Sequence, residues 1–227
     1  MSAEALVVVV DVGASLMGAA GHGRLVQALD AVRLVIRAKL QSPRARDLLG
    51  VVLYGTHDTH NDMARATDAF SNVFVAYDLG PPNASVLRFL TPGWALAGAK
   101  KTDADAGEAG AAQEALSAAD EERLQLAACG AEHSDMLSAL AVALDMLARR
   151  TSTKRSMLRR IFLVTDATAH TDPTRTDDVL AQLRSSDCRL NVIDLGPSSG
   201  SSSSSGERDA NMALLEVLAG AAARAAV

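Results

Sequence analysis

With 227 residues, 48% hydrophobic and 22% charged, the chain has a globular composition and enough length to bury a core without disulfides. No apolar run approaches the ~20 residues of a membrane span, the acidic start Met1-Ser2-Ala3-Glu4 lacks the basic region of a secretory signal, and two cysteines, Cys129 and Cys188, are too few for a disulfide framework. A net charge of -5 requires any nucleic-acid contact to come from a local basic patch.

In chain order, Ala5-Leu6-Val7-Val8-Val9-Val10 is continuously apolar and β-branched, which predicts a strand covered on both faces. After a Gly-rich turn, Leu25, Leu29, Val32, Ile36 and Leu40 recur every three or four residues and predict an amphipathic helix stopped by Ser42-Pro43. Leu48 to Tyr54 and Val73 to Leu79 read as two further strands. The loop between them is too short for the helical crossover that parallel strands need, so this pair is expected to be antiparallel. Asn83-Ala84-Ser85 can cap a short helix. Residues 99–132 differ: Ala, Gly and acids dominate, with seven acids and no base between Thr102 and Glu122, as in a solvated insertion. From His133 the pattern returns, with Met136, Leu137, Leu140, Leu144 and Leu147 on one helical face. A strand over Ile161–Thr165, a helix over Thr176–Ser185, a strand over Leu190–Leu195 and a last helix over Asp209–Ala226 complete the reading. A Ser-rich loop at about 197–207 precedes that last helix. The alternation predicts one α/β domain over 1–227: an open sheet, mostly parallel with one antiparallel edge strand, and helices on both faces.

Ligands of such sheets sit beyond the carboxyl ends of the strands. Here those ends carry Asp11, Gly55-Thr56, Asp166 and Gly196. Asp11, Ser15 and Asp166 could offer oxygen ligands to a hard divalent cation, although both aspartates equally suit turn and helix caps. An aspartyl-phosphate mechanism would want a second carboxylate where Gly13 stands. Gly18-Ala-Ala-Gly21-His-Gly23 does not keep the dinucleotide spacing, and Gly-Lys-Ser/Thr occurs nowhere. His57-Asp58-Thr59-His60-Asn61-Asp62 gathers possible ligands but too few nitrogens or sulfurs for zinc. No nucleophile elbow is present. The strongest charge feature is basic: Arg149, Arg150, Lys154, Arg155, Arg159 and Arg160, without an intervening acid. It is read either as a solvated connection at a helix C-terminus or as a contact for phosphates or an acidic partner.

Strand, Asp-x-Gly-x-Ser, helix, antiparallel edge pair and a strand ending in Thr-Asp together resemble a von Willebrand factor A domain. Within that fold three stretches resemble the amino-terminal domain of the Ku heterodimer: Asp47 through Thr56 with Thr59, Asn61 and Asn72-Val73-Phe74-Val75; Ser134 through Met146 and on to Asp166; and Ser186-Asp187-Cys188-Arg189-Leu190. The opening Val9-Val10-Asp11-Val12-Gly13 and the segment from Asp135 to Asp166 look nearer to the larger Ku subunit than to the smaller. The resemblance implies a non-enzymatic scaffold, without cofactor or membrane attachment, in nuclear double-strand-break repair by non-homologous end joining and in telomere maintenance. It implies the other Ku subunit and DNA ends as partners of the full-length protein, and repair factors recruited through short peptide motifs. The family's DNA-encircling β-barrel has no counterpart here, so an excised domain or truncated product is expected. It also implies a vestigial adhesion-type metal site at Asp11, Ser15, Ser134 and Asp166, since Gly13 lacks the middle hydroxyl. The alternative is a metal-dependent ligand-binding A domain of another intracellular assembly, such as a proteasome or transcription-repair subunit.

Overall fold

The computed structural model describes residues 3–17, 22–41, 46–67, 69–88, 129–152, 157–196 and 205–224. Five strands, β1 (Glu4–Asp11), β2 (Leu48–Tyr54), β3 (Val73–Gly80), β4 (Leu158–Thr165) and β5 (Cys188–Asp194), form one sheet in the order β3-β2-β1-β4-β5. β1 pairs parallel with β2 and β4, and β4 pairs parallel with β5. β2 and β3 are antiparallel, as the short connection requires.

The central position of β1 explains its composition. All eight of its residues are buried. Ala5, Val7 and Val9 enter the core on one face, while Leu6, Val8 and Val10 enter the core on the other. A strand walled on both sides cannot alternate polar and apolar residues, and each fully buried Val or Leu contributes about 1.5–3 kcal/mol.

One core lies under α1 (Ala14–Met17), α2 (His22–Gln41) and, past the five-residue α3 (Asp62–Ala66), α4 (Ser85–Arg88). Leu25, Leu29, Val32 and Ile36 supply the buried stripe of α2. The opposite core is organised by α5 (Met136–Thr151), with α6 (Thr176–Ser185) and α7 (Ser205–Arg224) beside it. Asp135 caps α5 by accepting from the backbone N–H groups of Leu137 and Ser138 at 3.2 and 3.1 Å. Twelve of the sixteen α5 residues are buried, so this helix is sunk into the core rather than laid on its surface. Small residues such as Ala139 and Ala143 let its backbone approach the sheet.

β4 and β5 begin earlier than the sequence reading, at Leu158 and Cys188 rather than Ile161 and Leu190, and two connections also differ from it. Residues 129–131, expected within the acidic insertion, run along the ends of β1 and β2: the N–H of Gly130 donates to the Val12 carbonyl at 2.8 Å, and that of Ala131 to the Gly55 carbonyl at 3.0 Å. Backbone bonds of this kind leave no trace in composition. Ser205, Gly206 and Glu207, assigned to the Ser-rich loop, form the first turn of α7. The rest of that loop, and the insertion through residue 128, lie outside the described residues. Among the described residues no helix is long and apolar enough to cross a membrane.

Candidate functional site

The carboxyl ends of β1, β2 and β4 converge on a polar cluster beneath α1 and the start of α5. Parallel pairing puts Asp11 level with Tyr54 and, one step past the last Val10–Val164 pair, opposite Thr165. Asp11 is fully buried. Its Oδ1 accepts the Gly13 N–H at 3.0 Å and its Oδ2 accepts the Thr165 hydroxyl at 3.0 Å. The Tyr54 hydroxyl lies buried in the same cluster, outside ordinary hydrogen-bond geometry. Burial raises the Asp11 carboxyl to about 6, and the charge of Asp166 adds to this, against the opposing effect of the two donors. The Tyr54 phenol is pushed well above its usual range by burial and by Asp11.

Asp166 is also fully buried. Its Oδ1 accepts from the Thr168 N–H at 3.0 Å, the Thr168 hydroxyl at 2.8 Å and the Ser15 hydroxyl at 3.3 Å. Between these residues Ala167 adopts φ 56°, an uncommon conformation for a non-glycine. The turn is pinned by Asn211 of α7, whose amide donates to the Ala167 and Ala169 carbonyls at 2.9 and 2.8 Å. Ser134, which α5's approach brings beside Gly13 and Gly55, is buried with an unpartnered hydroxyl. The structure therefore places Ser134 beside Asp11 across Gly13, and Ser15 against Asp166, at the same end of the sheet.

Arg24, Tyr54 and Thr165 join them and were not singled out by the sequence. Tyr54 and Thr165 carried a usable signal, since each is a polar residue closing an apolar strand beside β1. Arg24 carried none. Its guanidinium reaches from the first turn of α2 to lie 3.5 Å from Asp166 Oδ2, and it donates to the Leu195 carbonyl at 2.9 Å and to that of Gly196.

A divalent ion of the adhesion type does not fit this arrangement. Both Asp11 oxygens are taken by donors, and Arg24 already places a positive charge against Asp166. Among the described residues no group of three or more His, Cys, Asp or Glu is arranged to hold a metal. In the 57–62 loop, His60 instead contacts Arg65 through its ring nitrogen at 2.9 Å and packs on Phe74, with ring centroids 5.2 Å apart.

The raised Asp11 carboxyl has a measurable consequence. The folded state holds this proton up to about pH 6, whereas the unfolded chain releases it near pH 4. That stabilisation is complete below pH 4 and is lost as pH rises through about 6. Asp11→Asn keeps Oδ1 for Gly13 and carries no charge to desolvate. It should exceed the parent in stability at pH 7.5 by up to about 3 kcal/mol and show a flatter pH dependence between 4 and 6. Urea denaturation at four pH values measures both; an unchanged slope would mean that Asp11 does not titrate in this window.

Comparison with known proteins agrees with the architecture. The profile of the Ku70/Ku80 N-terminal alpha/beta domain matches residues 5–104. The chain carries a Ku amino-terminal domain. It is 30% identical over 199 residues to the X-ray repair cross-complementing protein 5 of Dictyostelium discoideum, covering 84% of this chain and 20% of that protein. It is also 30% identical over 164 residues to the ATP-dependent DNA helicase 2 subunit KU80 of Oryza sativa subsp. japonica, covering 72% of this chain and 18% of that protein. The chain thus spans about a fifth of the length of these relatives.

The four described members of the basic run, Arg149, Arg150, Arg159 and Arg160, do not share one surface. Arg159 and Arg160 belong to β4 rather than to the connection before it, so they point to opposite faces of the sheet. Arg159 donates to the Thr151 hydroxyl at 2.7 Å, the Thr151 carbonyl at 3.0 Å and the Ser186 carbonyl at 2.9 Å. Arg160 pairs with Glu4 at 3.2 Å, beside Lys39 and Asp47. Arg149 pairs with Asp62 and, at 2.8 Å, with Asp145, and Arg150 pairs with Asp78. Lys154 and Arg155 lie outside the described residues. Both cysteine thiols are pushed up to about 12 by burial, unlike the depressed values of reactive thiolates.

Proposed function

We propose that this Ku domain acts as a non-enzymatic scaffold in a Ku-type repair protein, which joins DNA double-strand breaks with a second Ku subunit. The observation that carries the reading is the Ku amino-terminal match over residues 5–104 on a sheet of order β3-β2-β1-β4-β5. Several features support a role without chemistry. Asp11 and one oxygen of Asp166 are committed to backbone and hydroxyl donors, the thiols are held protonated, and the sequence has no phosphate-cradling Gly-Lys-Ser/Thr loop. End joining, telomere maintenance, nuclear location and recruitment of repair factors through short peptides belong to this proposal.

The match to the rice KU80 subunit favours the larger of the two subunits. The competing reading, a metal-dependent A domain of another assembly, needs an open cation position; the guanidinium of Arg24 stands against it. Any contact with DNA phosphates would draw on Arg149 and Arg150 at the end of α5, each of which already faces an acid, together with Lys154 and Arg155. Recovery of the tagged protein at a nuclease-induced chromosomal break tests the function. Enrichment at the cut locus, together with loss of plasmid end joining when its gene is disrupted, is expected. No enrichment over the uncut locus and normal joining would reject the Ku-type role.

A further inference from the structure

We infer that Arg24 is this chain's built-in replacement for the divalent cation, and that removing its guanidinium converts the strand-end cluster into a metal site. The proposal rests on the geometry of the cluster and not on the repair function. Asp166 is fully buried, and its Oδ2 has no hydrogen-bond partner; the charge paired with that oxygen is Arg24 at 3.5 Å, while Arg208 of α7 is committed to the Asp166 backbone carbonyl and to Asp194. A carboxylate held in such a place without a nearby positive charge would be strongly destabilising. The guanidinium is itself held in place from the other side by the Leu195 and Gly196 carbonyls at the end of β5. It therefore cannot swing away to admit an ion without abandoning both.

The remaining oxygens suit a hard cation once that charge is gone. Asp166 Oδ2 and the Ser134 hydroxyl are buried and unpartnered, and Ser15 Oγ reaches Asp166 Oδ1 at 3.3 Å. Carboxylate and hydroxyl oxygens with added waters make up the ligand set of Mg²⁺ or Mn²⁺. The Arg24 side chain is only 18% exposed, so its loss opens space inside the fold rather than on the surface. An ion there would balance Asp166 as the guanidinium does now, but it would be exchangeable. A fixed guanidinium offers no open coordination position to an acidic ligand.

The test uses the full 227-residue chain as parent, Arg24→Met, Arg24→Lys and the double variant Arg24→Met with Asp166→Asn. Thermal unfolding is followed in EDTA and in 10 mM MgCl₂, and Mn²⁺ binding is measured by electron paramagnetic resonance. The parent and Arg24→Lys should not respond to Mg²⁺. Arg24→Met should melt several degrees lower in EDTA, rise by at least ~2 °C with Mg²⁺, and bind one Mn²⁺ at least tenfold more tightly than the parent. The double variant should recover part of the lost stability without Mg²⁺ and lose the Mn²⁺ site. If Arg24→Met does not fold in EDTA, restoration by Mg²⁺ or by the added Asp166→Asn supports the proposal, and failure of both overturns it. A parent that binds Mg²⁺ as well as Arg24→Met does, or an Arg24→Met that neither loses stability nor gains a metal, also overturns it.

Discussion

Gly55→Ala should destabilise the domain by about 2–5 kcal/mol, lowering Tm by roughly 5–15 °C. Gly55 has φ +78°, and a Cβ there would stand 2.5 Å from Gly13 Cα and 2.6 Å from Gly13 N. The left-handed conformation alone costs an L residue roughly 1–2 kcal/mol, and the clash adds to it. Neither backbone is free to yield. Gly13 N donates to Asp11, Gly55 N donates to the Asn72 carbonyl at 3.0 Å, and the Gly55 carbonyl accepts from Ala131. Gly220→Ala serves as the control, because a Cβ at that helical position meets nothing within 4 Å; it should be neutral or stabilising by up to about 1 kcal/mol. Thermal unfolding of the two variants makes the comparison. A Gly55→Ala protein melting within 2 °C of the parent would mean that β1 and β2 do not end in this close approach.

Arg159→Glu should cost roughly 2–4 kcal/mol, whereas Arg150→Glu should change stability by no more than about 1 kcal/mol. From sequence the two arginines look alike, as members of one basic run. In the fold Arg159 clasps the end of α5 to the turn before β5, through Thr151 and the Ser186 carbonyl. A carboxylate there would face two carbonyl oxygens that have lost their donor. Arg150 is exposed and paired with an exposed Asp78, an arrangement that screening keeps weak. Urea midpoints of both variants at pH 7.5 check this. Equal midpoints would show that the Arg159 bonds contribute nothing net, and the run could then be treated as a single solvated patch.

Much of the scaffold was legible because its signals are local. The β-branched run of β1, the three-and-four spacing of α2 and the short β2–β3 connection each follow from residues adjacent in the chain, and all three appear in the fold. Asp11, Ser15 and Asp166 could be placed at strand ends for the same reason, since an acid closing an apolar strand is visible without knowing its neighbours. The burial of α5 was less so. Its periodicity showed one apolar face, but Ala141, Val142 and Ala143 are buried as well, because this helix lies between the sheet and its flanking helices.

The sequence by itself therefore determined the order and type of the five strands and the long helices, the antiparallel edge and the carboxylates at the strand ends, all of which depend on short-range pattern; the short α1 and α3 lay within what reads as turn and loop. Only the tertiary structure decided what those carboxylates meet and where the basic residues go. Asp166 lies 142 positions along the chain from Arg24 in the numbering, yet parallel strand order brings their side chains within 3.5 Å. Arg159 and Arg160 are neighbours in sequence, yet the pleat of β4 sends them to opposite faces, one to backbone carbonyls and the other to Glu4. A strand's alternation and a sheet's register act through space, so a charge cluster in the chain need not be a charge cluster on the molecule.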